Sequence, residues 1–161
     1  MNYSVRAFEA QDAQEISILL AKNFLEINSQ DYPLEQMKKL AQVYSPEKIL
    51  EQASYAHTYV GESEKGQIIG TATICPFWDS ISESIILSLF VQPELHNQGI
   101  GSALLNQMAT DPFYTRASRI EVPASRTAEN FYSKHGYSII NPEHKEDEQG
   151  YIRMERKRTV R

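Results

Sequence analysis

The chain has one cysteine, Cys75, so it cannot close an internal disulfide or build a multi-cysteine metal site, and it carries no mark of an oxidising compartment. Cys75 sits in an apolar, strand-like context with no charge-rich motif beside it, and it reads as a buried, inert thiol rather than a nucleophile. Long hydrophobic runs are missing too. No apolar stretch approaches the roughly 18 residues that a membrane span needs, and Met1-Asn2-Tyr3-Ser4-Val5-Arg6 lacks the basic-then-apolar layout of a secretory signal. The expectation is a cytoplasmic protein that engages no membrane. Excess positive charge is also lacking: 16 Lys and Arg face 21 Asp and Glu, a formal net charge of -5, and a field of that sign repels nucleic acid while favouring a cationic substrate. The one basic run, Arg153, Arg156, Lys157, Arg158 and Arg161, reads as a solvated strand end or tail. No histidine or carboxylate spacing points to a metal.

What is present is an ordinary globular composition, 41% hydrophobic and 23% charged over 161 residues, enough to build one core without staples. Residues 1–161 are expected to form one α/β domain, with no repeat and no long linker. Tyr3 to Phe8 alternates like a strand, and Ile16, Leu19, Leu20, Phe24 and Ile27 then fall at helical spacing. Pro33 opens a second helix that carries Leu34, Met37, Leu40, Ala41 and Tyr44 on one face, until Ser45-Pro46 restarts a short one through Ile49 and Leu50. Two β-rich runs, Tyr55 to Gly61 and Gln67 to Pro76, flank a polar turn and form a hairpin. Glu83 to Val91 reads as a central strand, with Ile85, Leu87, Leu89 and Val91 on one face and Ile86 and Phe90 on the other. A helix from about Gly99 to Ala109, a strand around Ser118 to Pro123, a helix from Arg126 to His135 and a strand from Tyr137 to Ile140 follow. Gly150 to Arg156 adds a possible last strand.

The segment from Val91 to Leu105 carries most of the functional information. Pro93 cannot donate to a sheet ladder and ends the strand, while Ile100, Ala103, Leu104 and Met108 mark the buried face of a helix that starts near Gly99. At such a start several amides have no intrahelical partner and the positive end of the helix dipole lies beside them, which suits an anion. Gly99 and Gly101 let the main chain approach a bulky diphosphate. The donors would be the amides of Asn97, Gln98, Gly99, Ile100, Gly101 and Ser102, with the Ser102 hydroxyl as an addition. Alone, a Gly-x-Gly turn fits a tight packed connection equally well. The third glycine of a dinucleotide fingerprint and the Gly-Lys-Ser/Thr ending of a P-loop are both lacking. Downstream, Ser125 suits an N-cap and Gly136 a C′ position, so that a helix of about three turns presents Ala128, Phe131, Tyr132 and His135 on one face.

Val91-x-Pro93-Glu94-x-His96-x-x-Gly99-Ile100-Gly101-x-x-Leu104-Leu105 resembles motif A of the GNAT acetyltransferases, with His96 standing where the family pattern prefers Arg or Gln. Ser125 to Tyr137 is similar to motif B of the same family, in which an Asn/Ser-x-x-Ala-x-x-Phe-Tyr helix runs into Gly-Phe/Tyr and a strand. The resemblance spans Gln67 to Ile140. It implies a mixed, mostly antiparallel sheet of about six to seven strands, flanked by about four helices and splayed at its centre. It also implies acetyl-CoA as cosubstrate, with no metal, and a small-molecule or peptide amine as acceptor, with a homodimer through edge strands as common among relatives. On this reading the backbones of Leu89, Phe90 and Val91 bind the pantetheine arm, an amide near Leu89 polarises the thioester, and the turn with His96 holds the diphosphate. Ser125 and Asn130 contact the pantetheine or adenine end, and Tyr132 protonates the departing thiolate. Packing at the helix–sheet interface is the plain alternative for Tyr132. Glu83 corresponds to the position of a carboxylate base in some relatives, with a solvent-facing strand end as its alternative. Tyr32, Tyr44, Phe77 and Trp78 lie in segments that would border the acceptor cleft, whereas His57, His135 and His144 read as surface or interface residues. Two other functions stay open: a catalytically silent acetyl-CoA sensor, and an acyltransferase with a different acyl donor.

Overall fold

The computed structural model describes residues 2–160; Met1 and Arg161, at the two ends of segments discussed above, lie outside the described residues. In chain order the elements are β1 (Tyr3–Ala7), α1 (Ala13–Glu26), α2 (Leu34–Val43), α3 (Pro46–Ala53), β2 (His57–Ser63), β3 (Ile68–Pro76), β4 (Glu83–Val91), α4 (Ile100–Met108), α5 (Pro112–Thr115), β5 (Arg119–Ala124), α6 (Glu129–Lys134), β6 (Ser138–Ile139) and β7 (Ile152–Lys157). The local signals act where they stand. Ser45 Oγ accepts from Lys48 N at 3.2 Å, with Pro46 in the first turn of α3, so the helix break and restart are both chemically specified. The short α5 was not expected. Its signal is Asp111-Pro112, an N-cap followed by proline, and Asp111 Oδ1 accepts from Phe113 N at 2.8 Å.

The strands form one sheet in the order β1-β2-β3-β4-β5-β7-β6. Every pairing is antiparallel except β4 with β5. That parallel contact is brief, running only from Glu83↔Arg119 to Ile85↔Glu121. Beyond it β4 continues along β3 to Val91, and β5 continues along β7 to Ala124. The two central strands therefore part after Ile85 and leave an unpaired backbone edge on each side of a gap. This is the splayed α/β fold that the resemblance implies.

One face of the sheet packs α4 and α6 through Ile69, Ile86, Ile100, Leu104 and Met108. The other packs α1 to α3 through Ile16, Leu19, Phe24, Met37 and Val60. The assignment of β4 residues to faces needs correction. Thr73 pairs with Ser88 but Ile74 pairs with Ile86, so Leu87 is the extra residue of a β-bulge. An inserted residue reverses the side of everything beyond it. Ile86 thus joins Val91 and Leu89 on the α4 face, and Phe90 alone turns to α1, where its ring meets Phe24 edge-on at 5.4 Å.

Where α4 crosses β3, a Cβ on Gly70 would come within 2.9 Å of Leu104 Cδ1, 3.2 Å of Ile100 Cγ2 and 3.2 Å of the Phe90 carbonyl oxygen. Overpacking of this kind costs about 1–3 kcal/mol. Gly70→Ala is expected to lower the urea midpoint accordingly with an unchanged slope.

The expected three-turn helix after β5 is in fact a 3-10 turn (Arg126–Ala128) followed by α6. Ser125 does stand at the N-cap position of that turn, but its side chain makes no capping bond, and the Oγ lies 3.2 Å from Thr127 Oγ1 instead. The C-terminal signal does operate. Gly136 is left-handed (φ 89°), Tyr137 N donates to Tyr132 O at 3.0 Å, and Gly136 N donates to Ser133 O at 3.2 Å, which together make a Schellman motif. The basic run, as far as the described residues go, is the end of β7 and not a free tail. Arg153 binds Glu121, Arg156 donates to Tyr114 Oη, and Arg158 donates to the Tyr114 and Ala117 carbonyls.

Candidate active site

The turn between β4 and α4 lies at the open end of the gap. Ala103 N is the first amide of α4 with a helical partner, Gly99 O at 3.0 Å, so the amides of Ile100, Gly101 and Ser102 have none within the helix. Gly99 caps the helix in the left-handed region (φ 84°, ψ 0°), with Asn97 also left-handed at φ 64°. A Cβ built on Gly99 would meet nothing within 4 Å, and Asn97, Gln98 and Gly99 are exposed. Positive helix end, free amides and open space coincide, which is what a bulky anion requires. Gly101 serves a different purpose from the one expected. Its Cβ would lie 3.1 Å from Phe131 Cε1, so the missing side chain accommodates α6 against α4 rather than a ligand. His96 also departs from expectation: its ring folds back so that Nε2 donates to the Val91 carbonyl at 2.9 Å.

Along the gap, Gln92 N donates to Ile69 O at 2.9 Å. Antiparallel alternation then places Phe90, opposite Thr71, in a hydrogen-bonded pair with β3, and turns the peptide groups of Leu89 and Val91 toward the gap. The Phe90 backbone is thus already used by the sheet, which corrects its expected role. The Val91 carbonyl is occupied twice, by His96 and by Asn23 Nδ2 at 2.9 Å. What remains for a ligand is the Leu89 peptide and the Val91 amide. Asn23, buried on the apolar face of α1, was missed by the sequence reading. A lone amide among Leu19, Leu20 and Phe24 is its only signal, since a buried polar group must find a partner.

The gap opens into a cavity of about 840 Å³. Leu89 and Phe90 form one wall, and Ala124, Ser125 and Tyr132 the other. Tyr32, Tyr44, Phe77 and Trp78 line it as expected, together with Phe24, Tyr55, Tyr151, Cys75 and Glu121. Tyr132 is 4% exposed, and burial alone pushes its hydroxyl well above the ordinary tyrosine range, so it stays a neutral donor at physiological pH. Burial likewise pushes the Cys75 thiol up to about 11, which disfavours a thiolate. Tyr32 ties the two loops that bound the cavity: its hydroxyl donates to Gly150 O at 2.8 Å and accepts from Arg126 N at 3.1 Å. Asn130 is exposed on α6 and does not line the cavity.

A model of the acetyltransferase (GNAT) domain family matches residues 28–158. The chain belongs to this family. Among solved structures it is similar to the PaiA N-acetyltransferase of Thermoplasma acidophilum in complex with coenzyme A, at 17% identity and a TM-score of 0.83 over 98% of this chain and 100% of that one. It is also similar to a GCN5-related N-acetyltransferase of Rhodopseudomonas palustris (18%, TM-score 0.78, 98% and 97%) and to a GNAT acetyltransferase of Staphylococcus aureus Mu50 (15%, 0.74, 97% and 99%). No curated protein matches it in sequence. At these identities the likeness establishes the GNAT fold.

Within this GNAT fold Glu83 does not reach the cavity. Its carboxylate accepts from Arg119 Nε at 2.5 Å, and the pair closes the bottom of the splay where β4 and β5 still touch. Ion-paired there and outside the cavity lining, Glu83 is not placed as a base, so that expectation is corrected. Glu121 is the carboxylate that lines the cavity, and it is only 7% exposed. Both its oxygens are engaged, Oε1 with Arg119 at 3.1 Å and Oε2 with Arg153 Nη1 at 2.9 Å. Its sequence signal is a charge inside an apolar strand, Ile120-Glu121-Val122, because buried charges need partners. Among the described residues no cluster of His, Cys, Asp or Glu is placed to hold a metal ion, and no helix is long and apolar enough to cross a membrane.

Proposed function

We propose that this GNAT acetyltransferase moves the acetyl group of acetyl-CoA to a primary amine of a small molecule, amino-acid derivative or peptide, with both ligands bound together. The observation that carries the reading is the convergence, on one cavity, of an unpaired β4 edge and the buried, protonated Tyr132, with the open α4 amides at the end of the same gap. Acetyl-CoA supplies a thioester-activated acetyl group. The amides of Ile100, Gly101 and Ser102 hold its diphosphate, and the gap-facing Leu89 peptide and Val91 amide accept the arm as an added strand does. An amide aimed into a closed gap is also suited to carbonyl polarisation, a role that falls to Leu89. Tyr132 delivers a proton to the leaving sulfur, and its raised hydroxyl guards against early loss of that proton.

A free amine must be generated, since a typical ammonium with pKa about 10.4 is almost wholly charged at neutral pH. Among the described residues no histidine lines the cavity and the one lining carboxylate, Glu121, has both oxygens bound, so this proton leaves through water. The wide aromatic rim supports an acceptor with an apolar body next to its amine.

A panel of amines assayed for release of the free CoA thiol tests the reaction. Turnover with at least one primary amine above the hydrolytic background is expected. A flat panel, alongside tight acetyl-CoA binding, would instead identify a silent sensor, and turnover only with longer acyl donors would move the assignment to another acyltransferase.

A further inference from the structure

Ser102 and His135 are joined in a way that the proposed reaction leaves unexplained. Ser102 stands in the first turn of α4, and its Oγ lies 3.1 Å from His135 Nε2. The other ring nitrogen, Nδ1, lies 2.8 Å from the Phe131 carbonyl oxygen. A carbonyl only accepts, so Nδ1 carries a hydrogen. In the neutral ring Nε2 is then bare and accepts from the Ser102 hydroxyl. That hydroxyl hydrogen is thereby committed to the ring and withheld from an anion at the helix start.

Protonation reverses this arrangement. With a hydrogen on both nitrogens the imidazolium donates from Nε2 to Ser102 Oγ, and the hydroxyl hydrogen is released to turn toward the anion. A positive charge also appears one hydrogen bond from the free amides. His135 is the C-cap residue of α6, where a helix terminus favours a cation, and Phe131 holds its ring at a centroid distance of 4.5 Å.

We propose that His135 is a positioning residue that acts through Ser102, so that binding of the CoA diphosphate is coupled to uptake of a proton by the ring. The inference rests on the α4 start being the CoA site. The charged surroundings of His135 are sparse. α4 carries no charged residue. On α6 stand Lys134 and Glu129, the latter paired with Lys145 at 2.8 Å, and from β7 the Arg156 side chain packs beside Gly136. Tyr132 and Tyr137 on the same motif are held protonated by burial. His96 is the other titratable group of the turn, and its link to the Val91 carbonyl gives it no contact with Ser102.

The test is calorimetry with dephospho-CoA, which keeps the diphosphate but lacks the terminal phosphate that itself titrates near pH 6. Wild-type affinity is expected to be about tenfold tighter at pH ~6 than at pH ~8, with proton uptake on binding revealed by buffers of different ionisation enthalpy. His135→Gln should bring the affinity ratio close to one and abolish the uptake, whereas His96→Gln should keep both. If His135→Gln does not fold, Ser102→Ala reads the relay instead, with a ratio below that of the wild type. A flat wild-type profile, or uptake that survives in His135→Gln, overturns the coupling while leaving the CoA site in place. Absence of dephospho-CoA binding at both pH values removes the site and the coupling with it.

Discussion

Tyr132→Phe should lower turnover by roughly 100-fold, the lower end of what a positioned proton donor contributes, while the affinity for acetyl-CoA changes by less than about twofold. The substitution removes one oxygen from a side chain that is 4% exposed, so the ring continues to fill its place against Phe131 and Tyr137. Folding is unaffected on this argument, and thermal melts of the two proteins should superimpose within a few degrees. Turnover from rapid quench and affinity from calorimetry separate the roles: a purely packing residue would show neither loss. The pH profile offers a second check. An acid must be protonated to act, so activity tied to it is lost as pH rises through its pKa, and burial moves that point above the usual tyrosine value near 10. No alkaline loss assignable to Tyr132 is therefore expected up to about pH 10.

Gly99→Glu should weaken CoA binding by at least about 100-fold. Two effects act in the same direction. The left-handed backbone at φ 84° is costly for a residue with a Cβ, about 1–2 kcal/mol, and the new carboxylate places a negative charge where the helix end and its free amides should receive one. Gly99→Asn separates them, because asparagine tolerates the left-handed region and adds no charge. It should lose no more than about tenfold in affinity. Since a Cβ at Gly99 meets nothing within 4 Å, both variants should fold, and circular dichroism will show it. Equal affinity of wild type and Gly99→Glu would place the cosubstrate elsewhere.

Much of the site could be read from residue order, and its limits are instructive. The helix start at Gly99, the stop at Gly136 and the break at Ser45-Pro46 are local, because a glycine or proline restricts or frees its own dihedrals wherever the fold puts it. The cavity aromatics Tyr32, Tyr44, Phe77 and Trp78 followed from the family order of elements. The errors share a cause. Glu83 looked available because the strand end is polar, but Arg119 reaches it from β5. The missing side chain of Gly101 reads as room for a diphosphate, but Phe131 fills that side from α6 and only the Gly101 amide is left to the anion. Phe90 was counted as a binding backbone because its partner on β3 depends on register.

The order of strands and helices, the anion-ready turn and the buried tyrosine belong to the chain's own text, since periodicity and backbone chirality act within a few residues. The bulge at Leu87, the pairing of Glu83 with Arg119, the return of His96 to Val91 and the link between Ser102 and His135 arise only on folding. Each joins groups whose separation depends on strand register or helix packing, sums over many contacts that leave no mark in any short stretch of sequence.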